Sequence, residues 1–172
     1  MSRKPGSMYR EVKGQATTRR EYMGGVPASR ITQFDMGNKN TDFPIQLSLV
    51  AGENCQIRHN ALESARISAN RIMEKEAGLA NYRLRICVFP HNVIRENKQA
   101  TGAGADRVSQ GMRKAYGKPI GTAARVHIHQ TIATINTTQQ FYPNAKNALR
   151  KAKMKVPTPC TVVVEKGAEL LT

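Results

Sequence analysis

The chain has 172 residues, with 27 Lys and Arg against 12 Asp and Glu and a formal charge of +15. That length fits one domain with a real core, and so large a cationic excess repels itself unless an anionic partner compensates, nucleic acid being the leading candidate. No apolar run approaches the ~18 residues of a membrane span, and Cys55, Cys87 and Cys160 are odd in number and far apart, which argues against a disulfide framework or zinc module. A soluble, reducing, intracellular setting is expected. Aromatics are 5% and Trp is absent, so an aromatic platform for stacking bases is not the obvious mode of contact.

Residues 1–30 carry Arg3, Lys4, Arg10, Lys13, Arg19, Arg20 and Arg30 among glycines and prolines that break any period. They lack the apolar surface to hold themselves together, so an extended basic arm that orders on a partner is expected. One globular domain is expected over 31–172. Short apolar runs near 31–34 and 44–50 read as strands, as do residues 54–59. Asn60 with Glu63 three residues on suggests a capping box. Leu62, Ala65, Ala69, Ile72 and Met73 then recur at helical spacing, with Arg66 and Arg71 off the stripe and Gly78 as the stop.

Over residues 82–89, Leu84, Ile86 and Val88 alternate with Arg83, Arg85 and Cys87, a strand with one apolar and one basic face. Extended chain follows Pro90 as far as Arg95. Residues 122–128 and 131–137 are β-rich, with a bulge or tight turn expected near His129 and Gln130. A second helix is predicted over 144–155, striped by Ala145, Ala148, Leu149 and Ala152 and otherwise basic, ending before Pro157 and Pro159. Residues 161–165 form a last strand. Two helices among six to eight grouped strands predict an α+β fold, a two-layer sandwich with a mainly antiparallel sheet.

Between the strand regions lies the long segment 95–121, rich in glycine, with Arg95, Lys98, Arg107, Arg113, Lys114 and Lys118 against Glu96 and Asp106. Segments of this length inside compact domains are usually functional or disordered. Gly102 and Gly104 lack the third glycine of a dinucleotide fingerprint, which would fall at Arg107, and no Walker Gly-Lys-Ser/Thr is in register. They read as backbone joints. His127 and His129, two apart on a predicted strand, lack a third ligand for zinc. Asp106 has no setting that would tune it as a base, so neither catalysis nor a cofactor is expected. The coherent chemistry is phosphate neutralisation from the arm, the Arg83/Arg85 strand face, the long segment and the second helix with Arg150 and Lys151. Charge on several sides suggests embedding in RNA, whereas a duplex reader would concentrate it on one recognition helix. The alternatives are a free-standing nucleic-acid-binding protein and an RNA-modifying enzyme.

The motifs Gly-Ala-Asp-Arg (104–107), Gly-Met-Arg (111–113) and Tyr-Gly-Lys-Pro (116–119), followed by residues 122–127 with Arg125, resemble a known family. So do Lys4-Pro5, Met8-Tyr9-Arg10, residues 18–22, Phe89-Pro90-His91 and the ending 164–167. The chain is similar along its whole length to the archaeal and eukaryotic large-subunit ribosomal protein L-ten-e family, counterpart of bacterial L-sixteen. The short, partly acidic ending with Glu165 and Glu169 favours the archaeal form. The resemblance implies an α/β-hammerhead type fold and a cytoplasmic place in the large ribosomal subunit, on large-subunit rRNA near the 5S rRNA region and beside other ribosomal proteins. It further implies that a flexible loop over 97–120 helps position the tRNA acceptor end near the peptidyl-transferase centre. Arg107, Arg113, Lys114 and Lys118 would be RNA or tRNA contacts, and Gly102, Gly104 and Gly111 the joints. Paid out as a hairpin at ~3.3 Å per residue, such a loop reaches on the order of 30–40 Å.

Overall fold

The computed structural model describes residues 5–97, 102–105 and 115–171. Arg3, Lys4, Lys98, Arg107, Gly111, Arg113, Lys114 and Asp106 lie outside the described residues. Within them the order is β1 (Asp35–Gly37), β2 (Ile45–Ala51), β3 (Cys55–Arg58), α1 (His59–Glu76), β4 (Tyr82–Ile86), β5 (Asn92–Glu96), β6 (Lys118–Val126), β7 (Thr131–Thr137), α2 (Tyr142–Lys153) and β8 (Cys160–Lys166). Every strand pair is antiparallel. Five strands form a sheet in the order β1-β4-β7-β2-β8, and three form a second in the order β3-β6-β5. The result is the expected α+β sandwich.

The core follows from strand alternation meeting helical stripes. Ile45, Leu47 and Leu49 of β2, Leu84 and Ile86 of β4 and Ile135 of β7 are buried in one cluster with Leu62, Ala65, Ala69 and Met73 of α1 and Ala145, Ala148, Leu149 and Ala152 of α2. Alanine dominates the helical contribution, which lets α1 and α2 lie close beside each other while both cover the sheet. The opposite face of the five-stranded sheet carries Gln46, Arg83, Arg85, Cys87, Thr134, Asn136 and Glu165 and is open.

Helix α1 stops where expected: Gly78 has φ +76°, and the backbone N–H groups of Ala77 and Gly78 both donate to the Met73 carbonyl. Its start differs from the capping-box expectation. Strand β3 runs straight into the helix, so Asn60 is already inside the first turn, Arg58 stands at the cap and no side chain caps the end. Glu63 instead accepts two hydrogen bonds from Arg66, at 2.6 and 2.9 Å, a charge-assisted pair that outcompetes a neutral cap. Arg66, off the apolar stripe, is thereby engaged, whereas Arg71 is exposed. Helix α2 starts earlier than predicted, at Tyr142 with Pro143 in its first turn, and ends at Lys153.

Strand β6 also starts early. Lys118 and Pro119 pair with Glu96 and Arg95 of β5, so the two ends of the long segment are held together by one strand pair. At the other end of β6 the tight turn near His129 and Gln130 is present: Gln130 N–H donates to the His127 carbonyl at 3.1 Å, and His129 has φ +64°. His127 and His129 both lie exposed in this turn rather than on a strand, which removes the geometric premise for a shared metal.

All three cysteines are free thiols, Cys55 and Cys160 buried and Cys87 exposed. Burial pushes the Cys160 thiol up to about 11 and raises Cys55 and Cys87 as well, so access rather than ionisation separates them, Cys55 and Cys160 being shielded. An alkylating reagent is expected to label Cys87 in the folded protein and the other two only on unfolding, with mass spectrometry of the native reaction as the check.

Candidate nucleic-acid interface

The arm runs against the chain's own three-stranded sheet. Edge strand β3 receives it through Gln56, whose backbone N–H donates to the Arg10 carbonyl at 2.7 Å and whose side-chain amide donates to the Glu11 carbonyl. Edge strand β5 receives it through Thr17, whose carbonyl accepts from Val93 N–H and whose N–H donates to Asn92 Oδ1, both at 2.8 Å. From the central strand, the Arg125 guanidinium donates to the carbonyls of Lys13, Gly14 and Gln15. Two sheet edges that would otherwise expose unpaired backbone groups are thus covered.

The candidate cations fall into two groups. Arg125 clamps the arm, Arg10 pairs with Glu53 and Arg83 pairs with Asp35 at 2.8 Å. Arg19, Arg20, Arg85, Lys118, Arg150 and Lys151 are exposed. Among the described residues none of these six has an ion-pair partner. They occupy the arm, the open sheet face, the start of β6 and the outer side of α2. Arg95 is half-buried, with Nε buried and unpartnered. Of the joints, Gly102 and Gly104 have φ of +113° and +77°, with nothing among the described residues within 4 Å of where a Cβ would stand.

The pairing of Arg83 has a titration consequence. Its hydrogen bond holds the Asp35 carboxyl below the usual carboxylate range against the opposing effect of partial burial. A depressed folded pKa stabilises the fold above the ordinary carboxylate pKa and is lost as pH falls through the depressed value. Both partners are partly solvated, so the contribution is at most ~1 kcal/mol. In an acid titration followed by NMR, Asp35 is expected to titrate low, and Arg83→Gln to return it toward its ordinary value.

Composition hides the aromatic residues that join these cations. Arg58 lies over the Tyr9 ring at 5.1 Å, and Tyr9 donates to Glu96 at 2.8 Å. Both side chains line a cleft of about 530 Å³ together with Arg30, His59 and Asn60 at the start of α1. Tyr22 and Tyr116, among the most exposed large side chains, line another cleft with Arg95 and Lys118. Tyr116 lay inside a recognised motif, but no local signal links it to Tyr22.

The arrangement is a fold with exposed cations on several of its elements. The sequence pattern of the family described as ribosomal protein L16p/L10e matches residues 12–163. The large ribosomal subunit protein uL16 of Methanocella arvoryzae is 59% identical over 99% of both chains. The proteins of the same name from Archaeoglobus fulgidus and Thermoplasma volcanium are 53% and 52% identical, over 99% of this chain and 98% and 97% of theirs. With a match of that extent and archaeal relatives alike from end to end, this chain belongs to the ribosomal protein L16p/L10e family, in its archaeal form.

Proposed function

We propose that this protein is a structural constituent of the large ribosomal subunit in the cytoplasm, not an enzyme, held in place by large-subunit rRNA. Its relatives carry the name of a large-subunit protein over their full length, and the likeness covers this whole chain. In finer detail, we place it near the 5S rRNA region beside other ribosomal proteins, with segment 97–120 reaching toward the tRNA acceptor end near the peptidyl-transferase centre. Arm 1–30 and domain 31–172 act as one RNA-binding unit, and Arg3, Lys4, Lys98, Arg107, Arg113 and Lys114 extend its cationic surface. Gly102, Gly104 and Gly111 are the joints of the segment.

The observation that carries the rRNA reading is the scatter of exposed cations without ion pairs, Arg19, Arg20, Arg85, Lys118, Arg150 and Lys151, over separate elements. A protein laid on one groove gathers such charges on one face, whereas a protein embedded in folded RNA meets phosphates from several directions. The test is sedimentation of the tagged chain from an archaeal extract. Co-migration with large subunits after a high-salt wash is the expected result. Release into a soluble DNA-bound pool would sink the reading in favour of a free-standing nucleic-acid protein, and turnover of RNA by the purified chain would revive an enzyme.

A further inference from the structure

We infer that the cleft between the arm and the root of the long segment is a pocket for one unstacked RNA nucleotide, its base on Tyr22 or Tyr116 and its phosphate on Arg95 and Lys118. The inference rests on the RNA-binding reading and adds a site to it. The cleft holds about 540 Å³ and is lined by Tyr22, Met23, Gly24, Gly25, Arg95 and residues 116–119. Among the described residues no carboxylate lines it. Glu96, which faces Lys118 in the β5–β6 register, accepts instead from Tyr9 in the neighbouring cleft.

Four features make this a nucleotide's surroundings. Tyr22 and Tyr116 are 77% and 89% exposed, an arrangement that costs apolar hydration without contributing to the core and suits a ring awaiting a flat partner. Arg95 is half-buried at the cleft wall and has no ion-pair partner among the described residues, so a phosphate there would meet a charge the fold leaves uncompensated. Lys118 is exposed beside it as a second positive charge. Gly24, Gly25 and Gly117 all have positive φ, and residues without side chains at the wall let a sugar-phosphate backbone approach closely. Aromatic stacking combined with a cationic groove is the general physics of single-stranded nucleic-acid binding. The chemistry suits either an extruded rRNA nucleotide or the unpaired end of a tRNA.

The experiment uses the full chain with three probes: a tRNA with its single-stranded 3′ end, the same tRNA with that end removed, and a large-subunit rRNA fragment. Photo-crosslinking is expected to join RNA to Tyr22 or Tyr116. The paired change Tyr22→Ala with Tyr116→Ala is expected to weaken at least one probe by about 5- to 100-fold, the worth of a stacked base, while Tyr→Phe at both positions retains binding. Loss confined to the intact tRNA assigns the pocket to its end, and loss with the rRNA fragment assigns it to rRNA. Both side chains being solvent-exposed, the variants fold, which an unchanged thermal transition verifies. If the alanine variant binds every probe as tightly as the unaltered chain, the pocket is overturned while the RNA reading stands. If the unaltered chain binds none of them, both fall.

Discussion

Raising monovalent salt from about 50 to 200 mM is expected to weaken binding of the purified chain to large-subunit rRNA by roughly a thousandfold or more, as for a protein neutralising 6–10 phosphates. The net charge of +15 overstates the cations that can meet phosphate, because the field of an ion-paired arginine is largely cancelled locally. The structure separates the two kinds. Arg83 and Arg85 are two apart on β4, on the same open sheet face, yet Arg83 is bound to Asp35 and Arg85 has no ion-pair partner among the described residues. Arg85→Gln is therefore expected to reduce the slope of log affinity against log salt by about one phosphate contact. Arg83→Gln should change it less, because Arg83 already has the Asp35 carboxylate as its counter-charge and adds little to phosphate neutralisation. A shallow overall slope, of about 2 or less, would mean that few of the exposed cations meet phosphate at all.

Arg125 belongs to neither kind, and its role explains how an arm so poor in apolar residues stays against the domain. One guanidinium spans three consecutive carbonyls, Lys13 to Gln15, while Gln56 and Thr17 secure the flanks on β3 and β5. The arm is held by hydrogen bonds to sheet edges rather than by a buried face. Composition alone assigns such a segment to a partner, because it counts hydrophobic area and cannot see that β3 and β5 are edges.

What was legible in the sequence is what depends on neighbours a few residues apart. The α1 stripe, the Gly78 stop, the two faces of β4 and the turn at His129 all follow from local periodicity and backbone preference, and all stand in the structure. What was not legible depends on distant pairings. The order β1-β4-β7-β2-β8 brings together strands far apart in the chain, so the open face combining Arg85 with Thr134 and Asn136 has no local signature. The capping box failed for a local reason instead: Glu63 pairs with Arg66 three residues on in the same helix, and β3 runs directly into the first turn. The family motif located Tyr116 to Pro119 but not what faces them. Tyr22 comes to that cleft only because the arm crosses β3 and β5 in a fixed register.

A single methyl group at that root is also expected to have a large effect. Gly117 has φ +87°, and a Cβ there would lie 2.6–2.8 Å from backbone atoms of Glu96 and Asn97. Gly117→Ala therefore combines two penalties: ~1–2 kcal/mol for an L-residue in the left-handed region and ~1–3 kcal/mol for forcing packed backbone apart. Gly24→Ala supplies the internal comparison. Gly24 has φ +62° and nothing within 4 Å of its Cβ position, so only the conformational penalty applies. At about 2–4 °C per kcal/mol for a chain of this size, Gly117→Ala is expected to lower Tm visibly more than Gly24→Ala if the strain is felt globally. The β5–β6 pairing offers a cheaper escape. Its last pairs, Arg95 with Pro119 and Glu96 with Lys118, can open without disturbing the five-stranded core, so hydrogen exchange should quicken first at the Arg95 and Glu96 amides. Because the same opening displaces Arg95, Tyr116 and Lys118 together, binding of single-stranded RNA should fall more than stability does. Equal Tm values and equal exchange at these amides in the two alanine variants would show that the close approach at Gly117 does not set the geometry of the root.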